Sequence, residues 1–393
     1  MKKVLFVMGH MGLGGAAKAL VNALWSLDPQ KYEIDLLLFN GEGFNLAYVP
    51  PYVNYIGVIT DGNRFYGRFA PLAKYLAAHG RFVSLSRRVF YAAAEVFYPY
   101  KNTASDRFFQ WKFLRKYISP TAHYDVAVGY LDGMTHYFVI DKADADRKIL
   151  WVHNDYSRLP VCKASIWYFK KADAVAAVSE SCAREVKRFF PMLKNVCVSH
   201  NICSPQYVKS RVGTSPYNTD GFKILSIGRL CRQKAFDVAV SAAKILKSEN
   251  RNFHWYIIGD GELKDELAAQ INAQNLSDCF HLLGTAENPY PYINSCDAVV
   301  QCSLYEGKSL ALDEAKILSK PIVCTNYNTA AEQIENGKTG LIVPQSAEGV
   351  ADGVRRLMTL PYLRQSLCEN LRKTDFGAEK DIKVFENILN GEK

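Results

Sequence analysis

The sequence predicts an α/β protein made of two doubly wound parallel-sheet domains, and three observations carry that prediction. Short apolar runs rich in strand formers alternate with helix-length amphipathic segments. The alternation starts twice, once at Val4 and again at Lys223. Between the two series lies 204–221, poor in apolar residues and punctuated by Pro205, Gly213, Pro216, Asn218, Asp220 and Gly221. The length of 393 residues agrees, since domains of roughly 150 residues favour two over one or three. With 49% apolar and 22% charged residues the chain has the composition of a globular protein with a sizeable core, which excludes a disordered or fibrous chain.

The elements follow in order. Residues 4–8 read as a first buried strand and not as a leader, because the apolar run breaks at Gly9-His10 and enters a glycine loop. A helix over 14–27 follows, then strands at 34–39, 127–130, 149–153 and 174–178. The second series is a strand at 223–227, a helix at 235–247, a strand at 254–258, a helix at 263–274, strands at 280–283 and 298–301, a helix at 310–317, and strands at 321–324 and 340–343. Residues 355–393 read as one or two closing helices. This divides the chain into a first domain over 1–203, a linker over 204–221, a second domain over 222–372 and a C-terminal helix over 373–393 that packs back on the first domain.

Charge is distributed unevenly. The net +9 resolves into 26 Lys and Arg against 16 Asp and Glu in residues 1–200, and 22 against 23 in the remainder. Within the first half, 62–118 holds 11 Lys and Arg, two acids (Glu95 and Asp106) and 15 aromatic residues. Such a segment suits an anionic membrane surface; an ordinary helical insertion with its aromatics turned inward fits the same composition. No apolar run reaches the 18 or so residues of a spanning helix, so membrane contact is expected to be peripheral and the location cytoplasmic. Ten cysteines, none before Cys162 and none in a C-x-x-C pair, read as reduced thiols.

Four loops follow strands of these series. Gly9-His10-Met11-Gly12-Leu13-Gly14-Gly15 joins a strand to a helix, where glycines admit a ligand close to the backbone and the helix start favours an anion. Its spacing is not that of a dinucleotide fingerprint, and no acid closes the second strand near Phe39. Arg229 and Lys234 flank the turn into a helix and suit a diphosphate, although a solvated basic loop would look the same. Gly259-Asp260-Gly261 reads first as a turn. Glu306-Gly307-Lys308-Ser309-Leu310 leads into a helix whose early N–H groups, on Lys308, Ser309 and Leu310, are expected to be free for phosphate oxygens. Glu314, about a turn into that helix, can chelate a vicinal diol such as a ribose; acids capping a helix start are the plain alternative.

Taken in order, the Gly14-Gly15 loop, Gly228-Arg229-Leu230 with Lys234, Gly259-Asp260-Gly261, Leu282-Leu283-Gly284, Asn288-Pro289-Tyr290-Pro291-Tyr292, Glu306 with Glu314 seven residues between, and Lys320-Pro321-Ile322-Val323-Cys324-Thr325 resemble the family-4 retaining glycosyltransferases of the GT-B fold, in particular capsule and exopolysaccharide members. The resemblance covers the second half closely and the first half loosely. It implies two Rossmann-like domains facing across a cleft, and transfer of a hexose from a nucleotide sugar, with UDP as the expected nucleotide, to a lipid-linked or oligosaccharide acceptor. It implies no metal and no cofactor beyond that co-substrate. Arg229 and Lys234 then hold the diphosphate and Glu314 the ribose. Glu306 meets the hexose, with Gly307, Lys308, Ser309 and Leu310 around sugar and phosphate. Gly14, Gly15, Gly259 and Leu283 complete the donor side, and Asp132, His153 and Asn154 form the acceptor side. Glu306, His153, Lys234 and Arg229 form the catalytic set.

The chain departs from the family twice. Ala235 replaces the usual glycine after the phosphate lysine, a mild change at a helix start, and Lys308 replaces an aromatic and adds a cation beside the sugar. A non-catalytic nucleotide-sugar-binding subunit or a GT-B sugar-nucleotide epimerase would share the fold. The former would be expected to lose Lys234 or Glu306, and the acid and histidine pattern of the latter is not apparent. No nucleic-acid module accompanies the charge, so no nucleic-acid partner is expected.

Overall fold

The structure, a computed structural model, describes residues 1–12, 14–41, 43–59, 108, 111–112, 115–116, 118–154, 156, 166–374 and 378–392. Two sheets organise it, and every strand pairing within them is parallel. The first contains β1 (Lys2–Met8), β2 (Tyr32–Leu38), β3 (Asn54–Val58), β4 (His123–Gly129), β5 (Asp144–Val152), β6 (Ala174–Ala177) and β7 (Val196–Val198), in the order β3-β2-β1-β4-β5-β6-β7. The second contains β8 (Phe222–Ile227), β9 (Phe253–Ile258), β10 (Phe280–Gly284), β11 (Ala298–Gln301), β12 (Ile322–Thr325) and β13 (Leu341–Val343), in the order β10-β9-β8-β11-β12-β13. Central strands are apolar on both faces because helices cover both. Val4, Leu5, Phe6 and Val7 are all fully buried, as are Ile149, Leu150 and Val152.

The strand order reverses between β1 and β4 in the first sheet and between β8 and β11 in the second. A crevice opens at the carboxyl ends of the strands at such a reversal. The Gly9 loop and the Leu131-Asp132-Gly133 loop meet at the first reversal, where a β-carbon on Gly9 would stand 3.7 Å from Leu131. The Gly228 and Ser303 loops meet at the second, tied by the Leu304 N–H donating to the Gln233 carbonyl at 2.8 Å.

Several expectations are corrected. β3 and β7 are strands that the alternation did not show. The closing segment holds three helices, Ala347–Thr359, Pro361–Lys373 and Ala378–Asn390. Ser346 caps the first of them through Gly349 N–H, and Pro361, suited to a first helical turn, starts the second. The linker is not bare: Ser204 caps a helix at Pro205–Ser210 that buries Val208. The last helix crosses to the first domain, where Phe385 meets Trp151 and Phe6 at centroid distances of 4.6 and 6.4 Å and the Ile388 carbonyl accepts from Arg147 Nε at 3.1 Å.

Most of 62–118 lies outside the described residues. Of its described aromatics, Phe108 and Trp111 are buried in the first domain, and Trp111 Nε1 donates to Asp141 at 2.8 Å. Seven of the nine cysteines among the described residues are buried. Among the described residues no helix is long and apolar enough to cross a membrane.

Candidate active site

From β8 the chain passes through Gly228 and Arg229 into a short 3-10 turn, Arg232–Lys234, and then into helix Phe236–Ser248. Gly228 leaves room for the Lys234 stem, since a β-carbon there would lie 2.9 Å from Lys234 Cε. Gly259 braces the loop from behind, because its own β-carbon would overlap the Gly228 carbonyl oxygen at 1.8 Å. Leu230 N–H donates to the Asp260 carbonyl, and Leu263 N–H to the Leu230 carbonyl, both at 3.0 Å. Arg229 is exposed. Ala235 adopts φ +48°, a left-handed conformation that penalises a β-carbon, so the change from glycine is not mild.

Lys234 Nζ reaches Glu306 Oε1 at 2.6 Å, and Ser303 Oγ donates to the same oxygen at 2.6 Å. Both charged groups are largely out of solvent, with Glu306 7% exposed. The loop holding Glu306 is fixed at its backbone by Thr329 Oγ1, which donates to the Glu306 carbonyl at 3.1 Å. One oxygen of the carboxylate thus carries two strong bonds, and the side chain is oriented before any ligand arrives.

Gly307 lies against the other domain. A β-carbon there would stand 2.0 Å from the His153 carbonyl oxygen and 3.1 Å from Val178. A second contact ties the domains: Glu332, from helix Ala330–Gln333, accepts the N–H groups of Glu180 and Ser181 at 3.0 and 2.7 Å. Glu332 thereby caps helix Glu180–Phe189 across the cleft.

The helix after Gly307 runs over Leu310–Ile317 as expected, but its start is not free. Ser309 N–H is not free; it donates to Gln333 Oε1 at 2.8 Å, and Gln333 Nε2 returns a bond to the Ser309 carbonyl at 2.9 Å. Lys308 does not stand free beside a sugar either. Its ammonium lies 3.4 Å from Asp313 and 3.5 Å from the Asn201 carbonyl in the other domain. Burial raises the Asp313 carboxyl, but Lys316 and Lys308 outweigh it and hold the group below its ordinary value.

Glu314 is 1% exposed and accepts from the Tyr290 hydroxyl at 3.2 Å. Its other partner comes from the first domain: Lys18, on helix Gly15–Ser26, forms an ion pair with the same Oε1. Among the described residues no side chain caps that helix, and β-carbons on Gly14 or Gly15 would meet nothing within 4 Å. Leu283 is 40% exposed beside Gly284, whose φ is +73°.

On the first domain His153 directly follows β5. Burial lowers its imidazole to about 4, partly offset by Asp132, so the ring is neutral near pH 7. Its Nε2 is buried and meets no hydrogen-bond partner among the described residues. Asp132 holds the His153 backbone: its Oδ2 accepts from His153 N–H at 3.2 Å and Asn154 Nδ2 at 3.3 Å, and its Oδ1 from the Tyr156 hydroxyl. It is therefore placed as a positioning group for His153 and Asn154. The structure thus gathers Glu306, Gly307, Lys234 and Glu314 at one cleft with His153. The sequence reading gave no role to Lys18, Ser303, Glu332 and Gln333, and quoted Tyr290 only within a motif; a lysine one turn after Gly14-Gly15 was the signal available for Lys18.

Residues 213–374 match the family described as Glycosyl transferases group 1. That match takes in every strand of the second sheet and less than half of the chain. The chain is 26% identical over 250 residues to the uncharacterized glycosyltransferase MJ1059 of Methanocaldococcus jannaschii, covering 60% of this chain and 61% of that protein. It is 27% identical over 244 residues to the N-acetylgalactosamine-N,N'-diacetylbacillosaminyl-diphospho-undecaprenol 4-alpha-N-acetylgalactosaminyltransferase of Campylobacter jejuni, covering 61% and 66%. The chain thus spans just under two thirds of the length of these curated relatives. In fold it is similar to Anabaena Alr3699/HepE, crystallised in complex with UDP-glucose, with TM-score 0.69, 15% identity and coverage of 100% and 99%. Two Rossmann-like α/β domains of the GT-B type are therefore shown.

Proposed function

We propose that this protein is a retaining, metal-independent hexosyltransferase. It moves a hexose from a nucleotide sugar, UDP-linked, to a lipid-linked or oligosaccharide acceptor in bacterial capsule, exopolysaccharide or lipopolysaccharide synthesis. The observation that carries the reading is the oriented Glu306 carboxylate, locked by Lys234 and Ser303, in a loop pressed against the carbonyl of the neutral His153. The group 1 match over the second domain and the UDP-glucose bound by a protein of the same fold support it.

On this reading the diphosphate leaves toward Arg229 and Lys234, which stabilise its developing charge. The bond from the anomeric carbon to the diphosphate oxygen breaks as the acceptor oxygen bonds to that carbon from the same face. The acceptor proton passes to the departing phosphate oxygen. Glu306 and His153 Nε2 accept hydroxyls of the transferred hexose and orient it, and closure over the donor keeps out water that would hydrolyse it. On the same reading the acceptor is delivered from the first domain, at the cytoplasmic face of the membrane.

The test is transfer from UDP-hexoses to a lipid-linked glycan, with the anomeric configuration of the product read by NMR. Retained configuration, insensitivity to EDTA and near abolition by Glu306→Ala are expected. An inverted product or loss of activity on chelation overturns the reading. A thermal-shift screen across UDP-, GDP- and ADP-sugars identifies the nucleotide, since a ligand of the native state raises Tm.

A further inference from the structure

We propose that Lys18 is a diphosphate-sensing residue, holding Glu314 in the empty protein and passing to the donor's phosphate oxygens when the ribose takes its place. This rests on the reading that Glu314 receives ribose hydroxyls. Lys18 and Glu314 come from opposite domains, so their ion pair joins the two walls of the cleft. The partners are unequal. The Glu314 side chain is 2% exposed and fixed on a helix beside Tyr290, whereas that of Lys18 is 28% exposed on a flexible four-carbon stem. The lysine is therefore the partner that moves.

It has somewhere to go. Lys18 stands on the first turn of helix Gly15–Ser26, which among the described residues has no side-chain cap, no acid in its first turn and nothing within 4 Å of a β-carbon built on Gly14 or Gly15. An anion placed there would meet unpaired N–H groups and, one turn on, the Lys18 ammonium. The Tyr290 ring, 5.0 Å from Nζ, lies under the path. A buried carboxylate left without a cation is strongly disfavoured, so Lys18 leaves only when hydroxyls replace it. A ligand offering ribose without phosphate displaces Lys18 and returns nothing to it. A nucleoside diphosphate satisfies both groups. Selectivity for diphosphate over nucleoside is then built into one side chain.

The experiment titrates wild type and Lys18→Met with uridine and UDP, and with the matched pairs of guanosine and adenosine, by calorimetry. In Lys18→Met the nucleoside is expected to bind more tightly and the diphosphate less tightly, lowering their affinity ratio by about tenfold or more; Lys18→Arg should keep the ratio. In the wild type, amine labelling of Lys18 read by mass spectrometry should rise with uridine and fall with UDP, a measurement that needs no variant. An unchanged ratio, or equal labelling with both ligands, overturns the proposal while leaving the donor-site reading intact. Failure of the wild type to bind any nucleoside diphosphate overturns both.

Discussion

The Cα of Gly307 faces the His153 carbonyl oxygen so closely that a β-carbon would stand 2.0 Å from it, although the two residues belong to different domains. No side chain fits at this point without parting the walls of the cleft.

Gly307→Ala should therefore separate closure from folding. Because the clash lies between domains, Tm is expected to stay within a few degrees of wild type while kcat/KM falls by about tenfold or more, since small misplacements of reacting groups are costly. Steady-state kinetics with small-angle scattering would check it; unchanged kinetics would show that the contact is not required for turnover.

The Lys234–Glu306 pair makes a second, opposite case. With both side chains largely buried, Lys234→Ala leaves an uncompensated carboxylate, expected to destabilise by about 3 kcal/mol as well as nearly abolish transfer. Adding Glu306→Leu to a Lys234→Met background should restore much of the stability and none of the activity. Urea unfolding beside transfer assays distinguishes the two losses.

Ala235 holds φ +48°. Relieving that strain with Ala235→Gly should raise stability by about 0.5–1 kcal/mol, the left-handed penalty less the extra freedom of glycine in the unfolded chain. A fall in the denaturation midpoint would contradict this.

His153 gives the pH dependence. Its folded-state value of about 4 lies below the ordinary 6.5, so between those values the unfolded chain binds more protons and stability falls as pH drops. The full loss below pH 4 amounts to about 3 kcal/mol. His136, also lowered by burial, adds to the same trend. His153→Asn should flatten the decline of Tm between pH 7 and 4.5 relative to wild type, leaving the His136 part, and transfer should show no His153 protonation limb above pH 5.

Local order was legible in the sequence where strands are long and apolar, as in β1 and β5, and where a loop and helix start are contiguous, as from Arg229 to Lys234. β3 and β7 escaped because each is short and at an edge of its sheet: Asn54-Tyr55-Ile56-Gly57-Val58 carries a polar residue and a glycine, and Val196-Cys197-Val198 is three residues long. The three closing helices were read as fewer because the break at Leu360-Pro361 was not weighed. Ser309 was misjudged for another reason: its partner Gln333 lies 24 residues away, beyond any motif, while Lys308 is held both by Asp313 within the motif and by Asn201, 107 residues away.

By itself the sequence determined two parallel α/β domains, the loops at their strand ends and the residues Lys234, Glu306 and Glu314 that a donor site would use, because strand period, turn chemistry and helix starts act over a few residues. Only the tertiary structure decided that Glu314 is held by Lys18, that Gly307 must be bare against His153, and that Glu332 caps a helix of the other domain. These contacts depend on how two separately folded surfaces face each other. The reach of one lysine and the missing β-carbon of one glycine acquire meaning only when the opposite wall is in place.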